Sequence, residues 1–220
     1  MRHYFRLFVL LVLLSLSMPS AIGDEYKILM RTPVQGLQRL SLSADQAAFI
    51  KQQRQLNVGV THYDAPPFGM RNIRNEYEGL SADYTGLVAW QLNLPVKIKV
   101  FSSSEEAWQA LARGDIDLIP SVAAFPDNDA FAFSLPYASD KPVLGLNDSD
   151  TAPLAEDLRD TDVAMPRDYL PLSQAQVAYP NARFRLFDSY QEALSAVAFG
   201  QSRVYLGNSY SLSRNYLNNI

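Results

Sequence analysis

Cysteine is absent from the 220 residues, histidine occurs only twice, and the formal net charge is only −4. Without cysteine no disulfide can form, so an exported form of this chain must be held by its apolar core. That suits the periplasm of a Gram-negative bacterium better than a disulfide-stapled secreted module. Two histidines and no cysteine leave no credible transition-metal cluster, and no cofactor is expected. No basic block is present, so nothing favours nucleic acid or an anionic membrane surface. Beyond the N-terminus no apolar run approaches the ~20 residues that a membrane helix needs.

What the N-terminus does carry is a targeting pattern. Arg2, His3 and Arg6 precede the apolar run Leu7–Leu16, and Ser17–Gly23 supplies small residues for a cut after Gly23. The expected leader is residues 1–23, with an uncleaved anchor as the alternative; either form exports the rest of the chain. Removing 23 of the 220 residues leaves 197, enough for one large domain or two small ones.

Two stretches 86 residues apart read almost alike. Ser103-Ser-Glu-Glu106-Ala-Trp108 runs on to Gly114, and Ser189-Tyr-Gln-Glu192-Ala-Leu194 runs on to Gly200. Each opens with Ser-x-x-Glu, a capping box, and each ends in glycine, which tolerates the left-handed position past a helix. Strand-like runs flank both: Val96–Phe101 and Ile116–Ile119 around the first, Phe184–Phe187 and Val204–Leu206 around the second. A strand–helix–strand unit repeated in this way predicts two α/β lobes with a cleft between them.

The remaining pattern agrees. Residues 24–42 read as irregular, and Ser43-Ala-Asp-Gln46 opens a helix through about Arg54. A strand follows over Leu56–Thr61, then the loop Tyr63–Phe68 and a turn over Asn72–Glu78. Leu80–Leu92 carries a helical stripe ending at Asn93. Further on, a turn is expected at Pro126–Asp129, strands at Val143–Leu146 and Asp162–Met165, and helices at Ala152–Asp160, about Tyr169–Ala178 and Ser209–Leu217. Alternation of this kind gives mostly parallel sheets, in which ligands bind beyond the carboxyl ends of the strands. That rule nominates the loops after residues 61, 120, 165 and 206.

Four strings in order, Asn57–Phe68, Gly79–Tyr84, Glu106–Leu118 and Phe133-Ser-Leu-Pro-Tyr137, resemble the bacterial type 2 solute-binding proteins, or Venus flytraps. The helix Leu42–Ile50 before the first strand, and the tail Tyr205–Tyr216, resemble the first periplasmic flytrap of BvgS/EvgS-type hybrid sensor histidine kinases. The resemblance implies an α/β, two-lobed type 2 fold. Residues 24–55 would form a lead-in, 56–141 the first lobe, 142–208 the second, and 209–220 the start of a return whose remainder is missing. The first lobe would then be incomplete at its C-terminus, in a fragment of a sensor. It further implies an adjacent flytrap and a membrane-anchored kinase as partners, with room for a homodimer. The alternatives are a free periplasmic receptor of a transporter and, with no visible catalytic constellation, a periplasmic enzyme on the same fold.

Amino-acid receptors of this family hold the ligand carboxylate with an Arg just before the Phe-Ser-x-Pro-Tyr motif, a bidentate match. Here residues 126–133 contain no Arg and two Asp, and Gly207-Asn208 stands where an Asp would meet the ligand ammonium. An ordinary α-amino acid is therefore disfavoured as the small-molecule ligand. The ligand-site candidates are Tyr63 and Phe68, which either stack on a ligand or pack on their lobe, and Ser121, a donor or a local turn residue. Arg167 is either an anion partner or a solvated side chain; Asn208 completes the set. Asp115 and Asp117 read as turn caps rather than catalytic acids, and Trp108, Leu111, Leu194 and Val197 as core.

Overall fold

The computed structural model describes residues 26–122 and 130–212. The expected leader, the turn at Pro126–Asp129 and the part of the last helix beyond residue 212 lie outside them. Among the described residues no helix is long and apolar enough to cross a membrane.

The first lobe is built on β2 (Leu56–Thr61) and β5 (Val96–Phe101), parallel and in register from Leu56 opposite Val96 to Thr61 opposite Phe101. A small sheet of β1 (Lys27–Ile28), β4 (Glu76–Glu78) and β3 (Met70–Arg71) lies beside them. Helices α2 (Leu80–Leu92) and α3 (Ser104–Arg113) follow β4 and β5 in the chain. Leu56, Val58, Val60, Tyr77, Ala82 and Ile98 form its buried core. The second lobe is a four-stranded sheet ordered β6 (Pro142–Leu146), β9 (Val204–Asn208), β7 (Asp162–Pro166), β8 (Arg183–Phe187). Only the β6–β9 pair is antiparallel. Its core gathers Leu158, Val163, Met165, Val204 and Tyr205 under α5 (Tyr190–Ala198), with α4 (Leu172–Ala178) on its flank.

The two look-alike helices start in the same way, and not quite as a capping box would have it. Ser103 Oγ accepts from Glu106 N at 3.2 Å and Ser189 Oγ from Glu192 N at 3.1 Å. The glutamates then reach one residue further back than the cap, to Ser102 N at 3.0 Å and Asp188 N at 3.1 Å. Gly114 and Gly200 both take positive φ at the far ends, 75° and 69°. Among the described residues the reciprocal box forms in full only at α1 (Ala44–Gln52), between Ser43 and Gln46. That helix buries no residue of its own.

Four expectations change. The turn expected over Asn72–Glu78 ends by residue 75, and Glu76–Glu78 pairs as the central strand of its sheet. The strand expected over Ile116–Ile119 reduces to one bridge from Leu118 to Val58. Asp117 Oδ2 accepts from the Asn57 backbone at 2.7 Å and its side-chain amide at 3.0 Å, a side chain competing with the ladder. Asp115, paired with Arg113 at 2.8 Å, is likewise occupied locally. No helix forms over Ala152–Asp160, because Arg203 gathers Asp150 and the carbonyls of Ala152 and Pro153 about its guanidinium. The helix expected from Tyr169 begins only at Leu172, since Pro171 lacks an N–H and Tyr169 is buried in the core.

The lead-in is also more ordered than its composition implies. Residues 30–40 run as a strap along α2: Asp83 accepts from Arg31 N at 2.6 Å and Thr32 Oγ1 at 2.9 Å, and Leu40 N donates to Gln91 at 2.9 Å. Small residues Ala82, Gly86 and Ala89 are therefore buried on α2, while Leu80, Tyr84 and Val88 of the apolar stripe stay exposed. The same preference for small residues holds on the repeated helices. Ala107, Ala110, Ala193 and Ala196 are buried, whereas Trp108, Leu111 and Leu194 are only partly so; Val197 is core as expected.

Candidate functional site

The loop after β2 is braced before it meets the other lobe. Ala65 and Gly69 pair across it, and the Pro66–Pro67 bond is cis. The first free N–H groups of α2 donate into it, Leu80 N to Pro67 O at 3.1 Å and Ser81 N to Phe68 O at 2.8 Å. Gly79, at φ 114°, is required there: a Cβ would lie 2.5 Å from Phe68 O. Tyr137 of the Phe-Ser-Leu-Pro-Tyr motif stacks on Tyr84 at 4.4 Å, bonds Ser81 at 2.9 Å and donates to Pro120 O at 2.8 Å. It thereby ties the chain that leaves the first lobe to the start of α2.

The helical turn at residues 209–212, which follows β9 and packs Leu212 on the second core, meets this loop at two points. Ser211 Oγ donates to Pro66 O at 2.8 Å, and Tyr210 sets its ring edge-on to Phe68 at 5.3 Å. Between the lobes remains a cavity of 70 Å³ lined by Asp64, Pro66 and Met70 from one side and Tyr190 and Gln191 from the other. Asp64 is oriented by Arg71, whose backbone N donates to it at 3.0 Å and whose Nε stands 3.6 Å away. Burial pushes the Tyr190 phenol well above its ordinary range, so it stays neutral, and Asn208 hydrogen-bonds it.

Asp168, on the loop after β7, faces the first lobe but does not line that cavity. Thr61 at the end of β2 and Ser104 in the first turn of α3 approach its carboxyl, with His62 and Arg167 more remote. Burial outweighs all four and raises its pKa. Its Oδ2 is buried with no well-formed hydrogen bond. The Asp168 charge is also felt at Tyr190, on the cavity wall.

The five sequence candidates are therefore differently placed. Phe68 stands at the lobe junction, and Tyr63 packs on His62 with ring centroids 3.7 Å apart. Asn208 is buried, accepting from Ser211 N at 2.6 Å and holding Tyr190, so it acts on the cavity through its wall. Arg167 pairs with Asp188 at 3.1 Å on the surface, and Ser121 is exposed; neither lines the cavity. Asp64, Asp168, Tyr190 and Gln191 were not among the candidates. Asp64 and Asp168 adjoin Tyr63 and Arg167 in the nominated loops, whereas Tyr190 and Gln191 belong to a helix start that reads as scaffold.

Residues 56–203 match the model of the bacterial extracellular solute-binding proteins, family 3. The chain belongs to that family. This flytrap is 32% identical over 207 residues to the virulence sensor protein BvgS of Bordetella bronchiseptica, covering 92% of the chain and 17% of BvgS. It is 22% identical over 175 residues to the sensor protein EvgS of Escherichia coli, covering 79% of the chain and 15% of EvgS. The flytrap thus spans about a sixth of the length of these relatives. Among solved structures it superposes on the B. pertussis BvgS periplasmic domain with a TM-score of 0.65 at 30% identity, covering 89% of the chain and 39% of that domain. An ancestral amino-acid-binding protein, a precursor of cyclohexadienyl dehydratase, gives 0.66 at 22% identity, covering 77% of each chain, and supports the fold alone.

Proposed function

We propose that the chain is the ligand-sensing flytrap of a membrane-anchored sensor histidine kinase, working in the periplasm after export by residues 1–23. The observation that carries this reading is the 32% identity to BvgS along 92% of the chain, lead-in strap included. Opening and closing of the lobes about the Pro66 and Phe68 contacts would bias the attached kinase, and a ligand acts only through its differential affinity for the two forms. The domain is non-catalytic in this reading, with residues 56–141 and 142–208 as its lobes and a neighbouring flytrap as its partner; homodimerisation is compatible with it. Its ligand is not an ordinary α-amino acid, since among the described residues no Arg lines the cavity and Asp64 does. Tyr63 and Phe68 remain proposed ligand contacts.

The reading frame that encodes the chain tests this. A second flytrap, a membrane span and a histidine-kinase block are expected downstream in the same frame. A stop soon after a single completed flytrap would overturn the sensor reading in favour of a transport receptor.

A further inference from the structure

Two short crossings join the lobes. Tyr137 is fixed to the first lobe through Ser81 and Pro120 O, and Pro142 already pairs in β6, so residues 138–141 make the outgoing crossing. β9 ends at Asn208, and the turn at 209–212 leads back toward the first lobe. The two crossings lie side by side. Ser209 N reaches Lys141 O at 3.2 Å, and Asp140 Oδ1 accepts from Ser209 N at 3.1 Å and from its hydroxyl at 3.3 Å. A carboxylate acceptor makes the Asp140 bonds charge-assisted.

The return crossing also holds both walls of the cavity. Asn208 and Ser211 are buried, 3% and 0% exposed. Asn208 bonds the Tyr190 phenol on the second-lobe wall and accepts from Ser211 N at 2.6 Å. Ser211 Oγ donates to Pro66 O on the first-lobe wall at 2.8 Å. Separating buried partners of this kind is costly, because each group would be left unsatisfied. A change in the gap between Tyr190 and Pro66 is therefore taken up within residues 208–211. We propose that this segment is the hinge element that reads the cavity: Asn208 and Ser211 pass the positions of the two walls to Ser209, and Asp140 couples that movement to the outgoing crossing. It rests on the reading of the chain as a ligand-sensing flytrap and names the residues through which that site acts on the lobes. Asn208 and Ser211 are positioning residues in this role and need not touch a ligand.

The chain has no cysteine, so Lys97→Cys in β5 and Val177→Cys in α4, both at exposed positions, place one spin label on each lobe of the full chain. Double electron–electron resonance then reads the distribution of distances between the lobes. Ser211→Ala, Tyr190→Phe and Asp140→Ala each remove one link, and each is expected to broaden that distribution about twofold while circular dichroism stays unchanged. Asp140→Asn keeps an acceptor oxygen and should restore the narrow distribution. Ser43→Ala, which deletes the cap of α1 outside both crossings, should leave it as in the parent. An unchanged distribution in any of the three variants, or equal broadening by Ser43→Ala, overturns the proposal; if Asp140→Ala does not fold, Ser211→Ala and Tyr190→Phe decide it. These outcomes are independent of the reading frame downstream, so failure here leaves the sensor reading standing and failure there leaves the hinge standing.

Discussion

The hydroxyl of Tyr205 occupies the space a side chain on Gly207 would enter. A Cβ at residue 207 would come within 2.0 Å of it and 2.2 Å of the ring carbon that bears it. Both residues are buried in β9, the strand that joins β6 to β7. Gly207→Ala is therefore expected to destabilise the chain by about 1–3 kcal/mol, the cost of overpacking a filled site. Urea unfolding measures it, and an unchanged midpoint would show that the ring moves freely.

Tyr205→Phe has the opposite expectation. The hydroxyl is fully buried without a hydrogen-bond partner, and burial drives its pKa far up. Removing it eliminates an unpaid desolvation cost, so stability should hold or rise by about 1 kcal/mol. A loss of that size in the same urea experiment would reveal a partner for the hydroxyl.

Ser211→Ala removes the bond to Pro66 O that joins the lobes. A buried carbonyl then loses its donor, and a loss of about 1 kcal/mol is expected, read as a Tm lower by ~2–4 °C for a chain of this size. If the variant unfolds like the parent, water has replaced the hydroxyl and the lobes are not held there.

The matched helix starts can be compared directly. Ser103→Ala and Ser189→Ala each delete one cap to a glutamate N–H at nearly the same distance. Each is expected to cost ~1 kcal/mol, and the double variant should show the sum, since the caps sit on separate cores. Chemical denaturation of the three variants checks both the size and the additivity.

Asp168 makes a prediction about pH. Its folded carboxyl is raised above the ordinary value of about 3.9, so the folded state holds this proton more tightly than the unfolded state. The associated stability is present at low pH and is lost as pH climbs from the unfolded value through the folded one. Asn in its place removes that loss. Asp168→Asn should be more stable than the parent at pH 7, with the gap closing toward pH 4. A variant less stable at pH 7 would mean that the carboxylate is already paired.

Local signals carried most of the fold. Ser103, Ser189 and Ser43 with their partners three residues on mark helix starts, and the runs at 56–61, 96–101 and 162–166 are strands, because caps and alternation act within a few residues. Where a distant side chain intervenes, local reading fails. Arg203 prevents the helix at 152–160 from 43 or more residues away, and Asp117 takes the ladder position expected of its own segment. The site was legible by loop and not by residue. Tyr63, Phe68 and Asn208 flank the cleft, but Asp168 and Tyr190 matter only because the sheets bring them opposite Thr61 and Asp64, a convergence no short motif encodes.

The second sheet draws all four of its strands from residues 142–208. Its pairing of widest sequence separation, β6 with β9, closes when Pro142 meets Asn208, and among the described residues no strand from outside that span joins it. This lobe can consequently reach its native pairing as soon as Asn208 has been translocated, before the rest of any longer polypeptide emerges. Its two ends, side by side at Pro142 and Asn208, then present a single anchored stem from which the other lobe is hung.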